Sequence, residues 1–144
     1  MRCNMTAKEY LYQLKDIDDL INSNQEEVDR LRALATNISV TYSDEPHGSG
    51  TSDKVGNTVV KIADLENEIN DLIDELIDLK RESISIIKQI KGIRERTILI
   101  KRYINNKTLE QSAVEMGISY TWTKQLHGIA LLEFDKLMKV SVRK

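Results

Sequence analysis

The chain has 144 residues and a mass of 16.5 kDa, enough for one domain or two small units in series and too little for a large multidomain enzyme. With 40% hydrophobic and 31% charged residues, one Pro and six Gly, it is too apolar to be disordered and too poor in turn residues to be all-β, so an all-α protein is expected. The formal charge of −2 conceals a division: residues 1–90 carry 10 Lys and Arg against 18 Asp and Glu, a balance of −8, whereas residues 91–144 carry 11 against 5, a balance of +6. An acidic front and a basic back point to a nucleic-acid partner for the back. A lone cysteine, Cys3, excludes an internal disulfide and a Cys-rich metal site. No run approaches the roughly 18 consecutive apolar residues of a membrane span. Lys8, Glu9, Asp16, Asp18 and Asp19 make the start unlike a signal peptide, so a cytoplasmic protein with no membrane partner is expected.

Thr6 and Glu9 have the spacing of a capping box and predict a helix start. From there to about Ile38, apolar residues such as Tyr10, Leu14, Ile17, Ile21, Val28, Leu31 and Ala35 recur at steps of three and four, the period that keeps one seam toward a partner helix. Asn24 breaks the row, either fixing register at a cost in stability or standing as a tolerated defect. Residues 39–53, with Pro46, His47, Gly48 and Gly50, predict a loop.

Periodicity resumes at Val55 and runs through Ile62, Ile69, Leu76, Ser83, Ile86 and Ile90 to Ile93, predicting a helix of roughly 38 residues, about 57 Å long. Val59, Ile73, Ile77, Ile84 and Ile87 widen its stripe beyond one seam, so two long helices should fold into an antiparallel, coiled-coil-like hairpin and leave apolar surface for self-association. The acidic run from Asp64 to Asp78 reads as a solvated face and not as metal ligands. The sequence thus divides at the charge reversal near Lys91 into residues 1–91, an acidic scaffold, and residues 92–144, a basic module. Cutting there should leave DNA contact on one side and self-association on the other.

The basic part predicts three short helices. Ile98, Leu99 and Tyr103 face inward from the first, which ends at Asn105, Asn106 and Lys107. Thr108 and Gln111 form a second capping-box spacing, and Gly117 offers the left-handed cap that ends the second helix. Ser119 opens the third, with Leu126, Ala130, Phe134 and Leu137 at helical spacing. Short helix, glycine turn and longer helix make a helix-turn-helix, whose second helix enters the major groove by its N-terminal part. Its outward face begins Ser119, Tyr120, Thr121, Lys124, Gln125 and His127, with no carboxylate. Gln can bond adenine, Thr can bond bases or touch a thymine methyl, and Lys can meet guanine or phosphate. Arg94, Arg96, Lys101, Arg102 and Lys107 are placed to neutralise phosphates, and Thr108, Ser119, Lys124 and His127 complete the phosphate or flanking set.

The stretch from Arg96 to Ser119 resembles region 4 of sigma-70-type factors, the part that reads the −35 promoter element. With Trp122, Leu126 to Gly128, Ala130 and Leu131, and with Leu31 to Thr36, Tyr42 to Asp44 and Asp53 to Gly56, nearly the whole chain is similar to the ArpU-like phage and prophage transcriptional regulators. The resemblance implies base reading by Tyr120, Thr121 and Gln125 and a phosphate contact by Lys124. It departs from region 4 at Ser112 and Thr123, where apolar side chains are usual; each hydroxyl can bond a carbonyl one turn back. Trp122 is expected to pack, by its size, with a flanking phosphate contact through its N–H as the alternative.

A phage-type regulator of late genes is therefore expected, binding double-stranded promoter DNA as a homo-oligomer, a dimer by preference, in the cytoplasm of a bacterial host, with RNA polymerase as a further partner. The alternative is a protein-interaction module that binds RNA polymerase or another factor without DNA specificity of its own. No cofactor, metal or enzymatic activity is expected: His47 and His127 have no identifiable nucleophile or carboxylate partner, and no phosphate-binding loop or metalloprotease motif is present.

Overall fold

The computed structural model describes the backbone of residues 5–44 and 49–143 and the side chains of residues 5–36 and 54–141. Every regular element among them is a helix: α1 Ala7–Asp44, α2 Ser49–Ile87, α3 Ile93–Leu99, α4 Leu109–Met116 and α5 Tyr120–Arg143. The protein is all-α, a long helical pair followed by a three-helix helix-turn-helix. Local sequence sets several of the boundaries. At the start of α1 the Glu9 N–H donates to Thr6 Oγ1 at 3.2 Å while the Thr6 N–H donates to Glu9 Oε2 at 3.4 Å, so two orphan donors are satisfied reciprocally.

Two boundaries differ from the sequence expectation. The connection between the long helices is shorter than residues 39–53, because α1 continues to Asp44 and α2 begins at Ser49; no Gly or Pro stands between Ser39 and Asp44 to stop propagation. Cys3 and the breakers Pro46, His47 and Gly48 lie outside the described residues. The second long helix ends at Ile87 and not at Ile93. Its last turn tightens through Gln89 N–H to Ile86 carbonyl and Ile90 N–H to Ile87 carbonyl bonds, both 3.0 Å, and Gly92 takes an extended conformation as the N-cap of α3. Ile90 stays buried although it has left the helix, so its apolar period reports burial and not helicity.

The chain forms two compact units: residues 18–75, and residues 1–17 together with 76–144. This division falls elsewhere than the charge reversal near Lys91, and it sorts charge more sharply. Residues 18–75 carry 4 Lys and Arg against 14 Asp and Glu, a balance of −10; the other unit carries 17 against 9, a balance of +8.

In the acidic unit α1 and α2 run antiparallel. Val28, Leu31 and Ile69 are buried, and Arg32 Nη2 meets Glu66 Oε1 at 2.5 Å. In the basic unit the first turns of α1 supply Ala7, Tyr10, Leu11 and Leu14 to a core completed by Leu79, Ile86, Ile87, Ile98, Leu99, Leu126, Ala130, Phe134 and Met138. The Tyr10 and Phe134 rings lie 5.8 Å apart. Each such aromatic, fully buried, contributes about 1.5–3 kcal/mol. Met138 and not Leu137 takes the last inward position of α5, since Leu126, Ala130, Phe134 and Met138 follow a strict four-residue row. Residues 92–144 therefore supply only part of this core, whose remainder comes from the start of α1 and the end of α2.

Candidate nucleic-acid interface

The helix-turn-helix is built by three local devices. Thr108 Oγ1 accepts from Gln111 N–H at 3.1 Å and Gln111 Oε1 from Thr108 N–H at 3.0 Å, fixing the start of α4. Gly117, at φ 67° and ψ 34°, closes α4: its N–H bonds the Val114 carbonyl at 3.2 Å and the Ile118 N–H bonds the Ala113 carbonyl at 3.1 Å. A side chain here would strain the backbone. Ser119 Oγ then accepts from the Trp122 N–H at 3.1 Å and caps α5.

Each of the two helices carries a buried hydroxyl bonded back to its own first turn. Ser112 and Thr123 are fully buried. Ser112 Oγ donates to the Thr108 carbonyl at 2.9 Å and Thr123 Oγ1 to the Ser119 carbonyl at 2.8 Å, so neither polar substitution leaves an unmet group.

With Thr123, Leu126 and Ala130 turned inward, the opposite side of α5 exposes Tyr120, Thr121, Trp122, Lys124 and Gln125 beside Ser119. Lys124 Nζ lies 4.8 Å from the centroid of the Tyr120 ring. Glu110, from α4, faces the same tyrosine, and its negative charge and hydrogen bond hold the Tyr120 phenol above its usual range. Trp122 corrects the expectation of a packing role: it is 39% exposed, because Thr123, one residue on, occupies the inward position. Sequence reasoning gave it to the core on size alone, and the signal that could have placed it outside was its offset from the Thr123 and Leu126 row.

The residues assigned to phosphates are not equivalent. Arg96 is half-buried on α3. Arg102 sits 5.8 Å from the Tyr12 ring centroid and 5.6 Å from that of Tyr103, and donates to Tyr12 Oη at 3.4 Å and to the Lys107 carbonyl at 3.3 Å. It ties the start of α1 to the turn before α4. Lys101 and Lys107 both meet Glu115. Lys101 lies in a π-helical turn, Ile100–Ile104, that continues α3 and is closed by the Asn105 N–H on the Ile100 carbonyl at 2.9 Å. Asn106 follows at φ 57°, a conformation Asn tolerates.

His127, expected on the outward face, is half-buried. Its Nε2 is 2.7 Å from Tyr103 Oη and its ring stacks on that tyrosine at 5.6 Å. Burial, with the charges of Arg102 and Lys8 nearby, pushes its pKa down to about 4, so the ring is neutral at pH 7. Burial likewise raises the Tyr103 phenol to about 12. Tyr12, Tyr103 and Tyr10, which build this side of the unit, were not singled out as site residues, since their partners lie far away in sequence.

Among the described residues no helix is long and apolar enough to cross a membrane. A family model described as "Protein of unknown function (DUF1492)" matches residues 37–135, 99 of the 144 residues, and the chain belongs to that family. None of the curated proteins or solved structures compared with the chain matches it.

Proposed function

We propose that this DUF1492 protein is a phage-type, DNA-binding transcriptional regulator that reads double-stranded promoter DNA with the N-terminal part of α5 and catalyses no reaction. The observation that carries the reading is the display of Ser119, Tyr120, Thr121, Trp122, Lys124 and Gln125 from the start of the second helix of a helix-turn-helix, in a unit with a balance of +8. The residue types suit groove recognition, and the resemblance to region 4 of sigma-70-type factors and to ArpU-like regulators supports it. Tyr120, Thr121 and Gln125 read bases. Lys124 and Arg96 contact phosphates, Thr108 and Ser119 flank them, and Arg102 and His127 serve by holding the unit's shape. The protein acts in the cytoplasm of a bacterial host, and the apolar side chains exposed on the long helices, Val59, Val60, Ile73 and Ile77, support a homo-oligomer.

The test is retention of promoter fragments from the source genome by the purified chain at low salt. Retention should weaken steeply as salt rises. Gln125→Ala or Tyr120→Ala should cost about 1–3 kcal/mol on the preferred site and relax its sequence. No retention of any fragment refutes the reading. A second reading, docking on RNA polymerase without DNA specificity, is favoured by the 82% exposure of Val114 and the 66% exposure of Leu132; recovery of polymerase in the absence of DNA would support it.

A further inference from the structure

The contact between Glu115 and two lysines has the form of an occupied phosphate seat. Glu115, near the end of α4, accepts from Lys101 Nζ at 2.5 Å through Oε1, and from Lys107 Nζ at 2.7 Å through Oε1 and 2.6 Å through Oε2. The two lysines come from different segments, yet their positions are coupled: the Lys107 N–H bonds the Lys101 carbonyl at 2.9 Å, and Arg102 holds the Lys107 carbonyl. Two ammonium groups therefore converge on one anion, and the anion supplied is internal. The hydrogen bonds from Lys101 and Lys107 hold the Glu115 carboxyl below the usual carboxylate range, so it stays charged.

We infer that Lys101 and Lys107 form a binding site for a phosphodiester of the nucleic-acid backbone, and that Glu115 fills it as an internal substitute until DNA displaces it. A phosphodiester carries the same single negative charge on two free oxygens as the carboxylate, so the exchange conserves charge and donor geometry. Glu115 is surface-exposed, and ion pairs of this kind contribute little on their own, so releasing it is cheap. Displacement by DNA is driven by release of condensed counterions from the duplex. The consequence is an affinity set lower than the lysines alone would give, and lowered equally for all sequences, because the site touches no base-reading residue. A second carboxylate of α4, Glu110, engages Tyr120 in the same way. Both acidic residues of this helix thus hold groups that face DNA in the proposed function, on which this inference rests.

The test uses the full chain and a labelled duplex of random sequence, since the site is indifferent to bases, with binding followed by fluorescence anisotropy from 50 to 200 mM salt. Glu115→Gln should bind more tightly than the natural chain. Because DNA displaces Glu115 in the natural chain, both forms end with the two lysines on phosphates, so the slope of log K on log salt should be nearly the same and the gain should persist across that range. Adding Lys101→Gln and Lys107→Gln should abolish the gain. Glu68→Gln, which removes one exposed charge from the acidic unit, controls for net charge. An unchanged affinity in Glu115→Gln, a slope steeper by about 0.9 or more, or an equal gain in Glu68→Gln overturns the inference while the natural chain's own binding still upholds the DNA reading. Failure of every form to bind overturns both.

Discussion

The two compact units start from the same apolar period and end with different interiors. In the basic unit, five elements surround Tyr10, Leu11, Ile98, Leu99 and Phe134, all buried to 1% exposure or less. In the acidic unit two helices face each other; Val28, Leu31 and Ile69 are buried, while Leu20, Leu34, Val59, Val60 and Ile73 remain 38–58% exposed. A two-helix pair can cover one stripe per helix, so the surplus stripe has nothing to meet within the unit. Polar atoms do not divide the same way: Ser112 and Thr123 are buried with bonds to carbonyls, whereas Asn24 Nδ2 in the acidic unit and Ser83 Oγ in the basic unit are buried without a hydrogen-bond partner. An apolar period therefore states which face is available for burial, and the number of neighbouring elements decides how much of it is used.

The sharpest way to break the comparison is to remove residues 1–17. This deletes Tyr10, Leu11 and Leu14 from the basic core, each comparable to a large-to-small change of about 2–5 kcal/mol, against a total stability of about 5–15 kcal/mol for a domain. The basic unit should lose its dispersed amide NMR spectrum; full retention of it would show that residues 76–144 fold without α1. Next, Phe134→Ala should cost about 3–5 kcal/mol in denaturant unfolding, and Ile73→Ala, at an exposed position, about 0.5 kcal/mol or less. Equal costs would erase the distinction between the units.

Acidification gives a smaller and directional effect. The unfolded chain takes up a proton at His127 near pH 6.5, the folded chain only near pH 4. Stability from this group is complete above about pH 6.5 and is lost as pH falls toward 4. Melting temperatures measured across that window should decline, and His127→Gln should flatten the decline. In the acidic unit the sign reverses: Asn24→Leu should raise stability by about 1–2 kcal/mol through removal of an unmet polar atom, and a loss of stability there would mean that the asparagine is satisfied by a partner.

What could be read from the sequence follows the range of the interaction. Both capping boxes, Thr6 with Glu9 and Thr108 with Gln111, and the hydroxyl bonds of Ser112 and Thr123 span three or four residues, so spacing encodes them. Gly117 was legible because few residues tolerate its backbone conformation. The pairing of Tyr10 with Phe134, the seat of Arg102 between Tyr12 and Tyr103, and the bond from Tyr103 to His127 were not, since each joins segments that no local pattern links. The charge reversal near Lys91 was visible as a run along the chain, but the structure assigns the first 17 residues to the basic side. Trp122 and the end of α2 at Ile87 were misplaced because size and period were taken as guides to packing and helicity.

The central claim, that the basic unit meets DNA through the start of α5 while the acidic unit does not, is tested most directly by titrating the isotopically labelled full chain with a promoter duplex and mapping amide shift changes. The account predicts changes concentrated in residues 94–108 and 119–125, with residues 18–75 unmoved. Changes confined to residues 18–75, or none at low salt with any duplex, would contradict it.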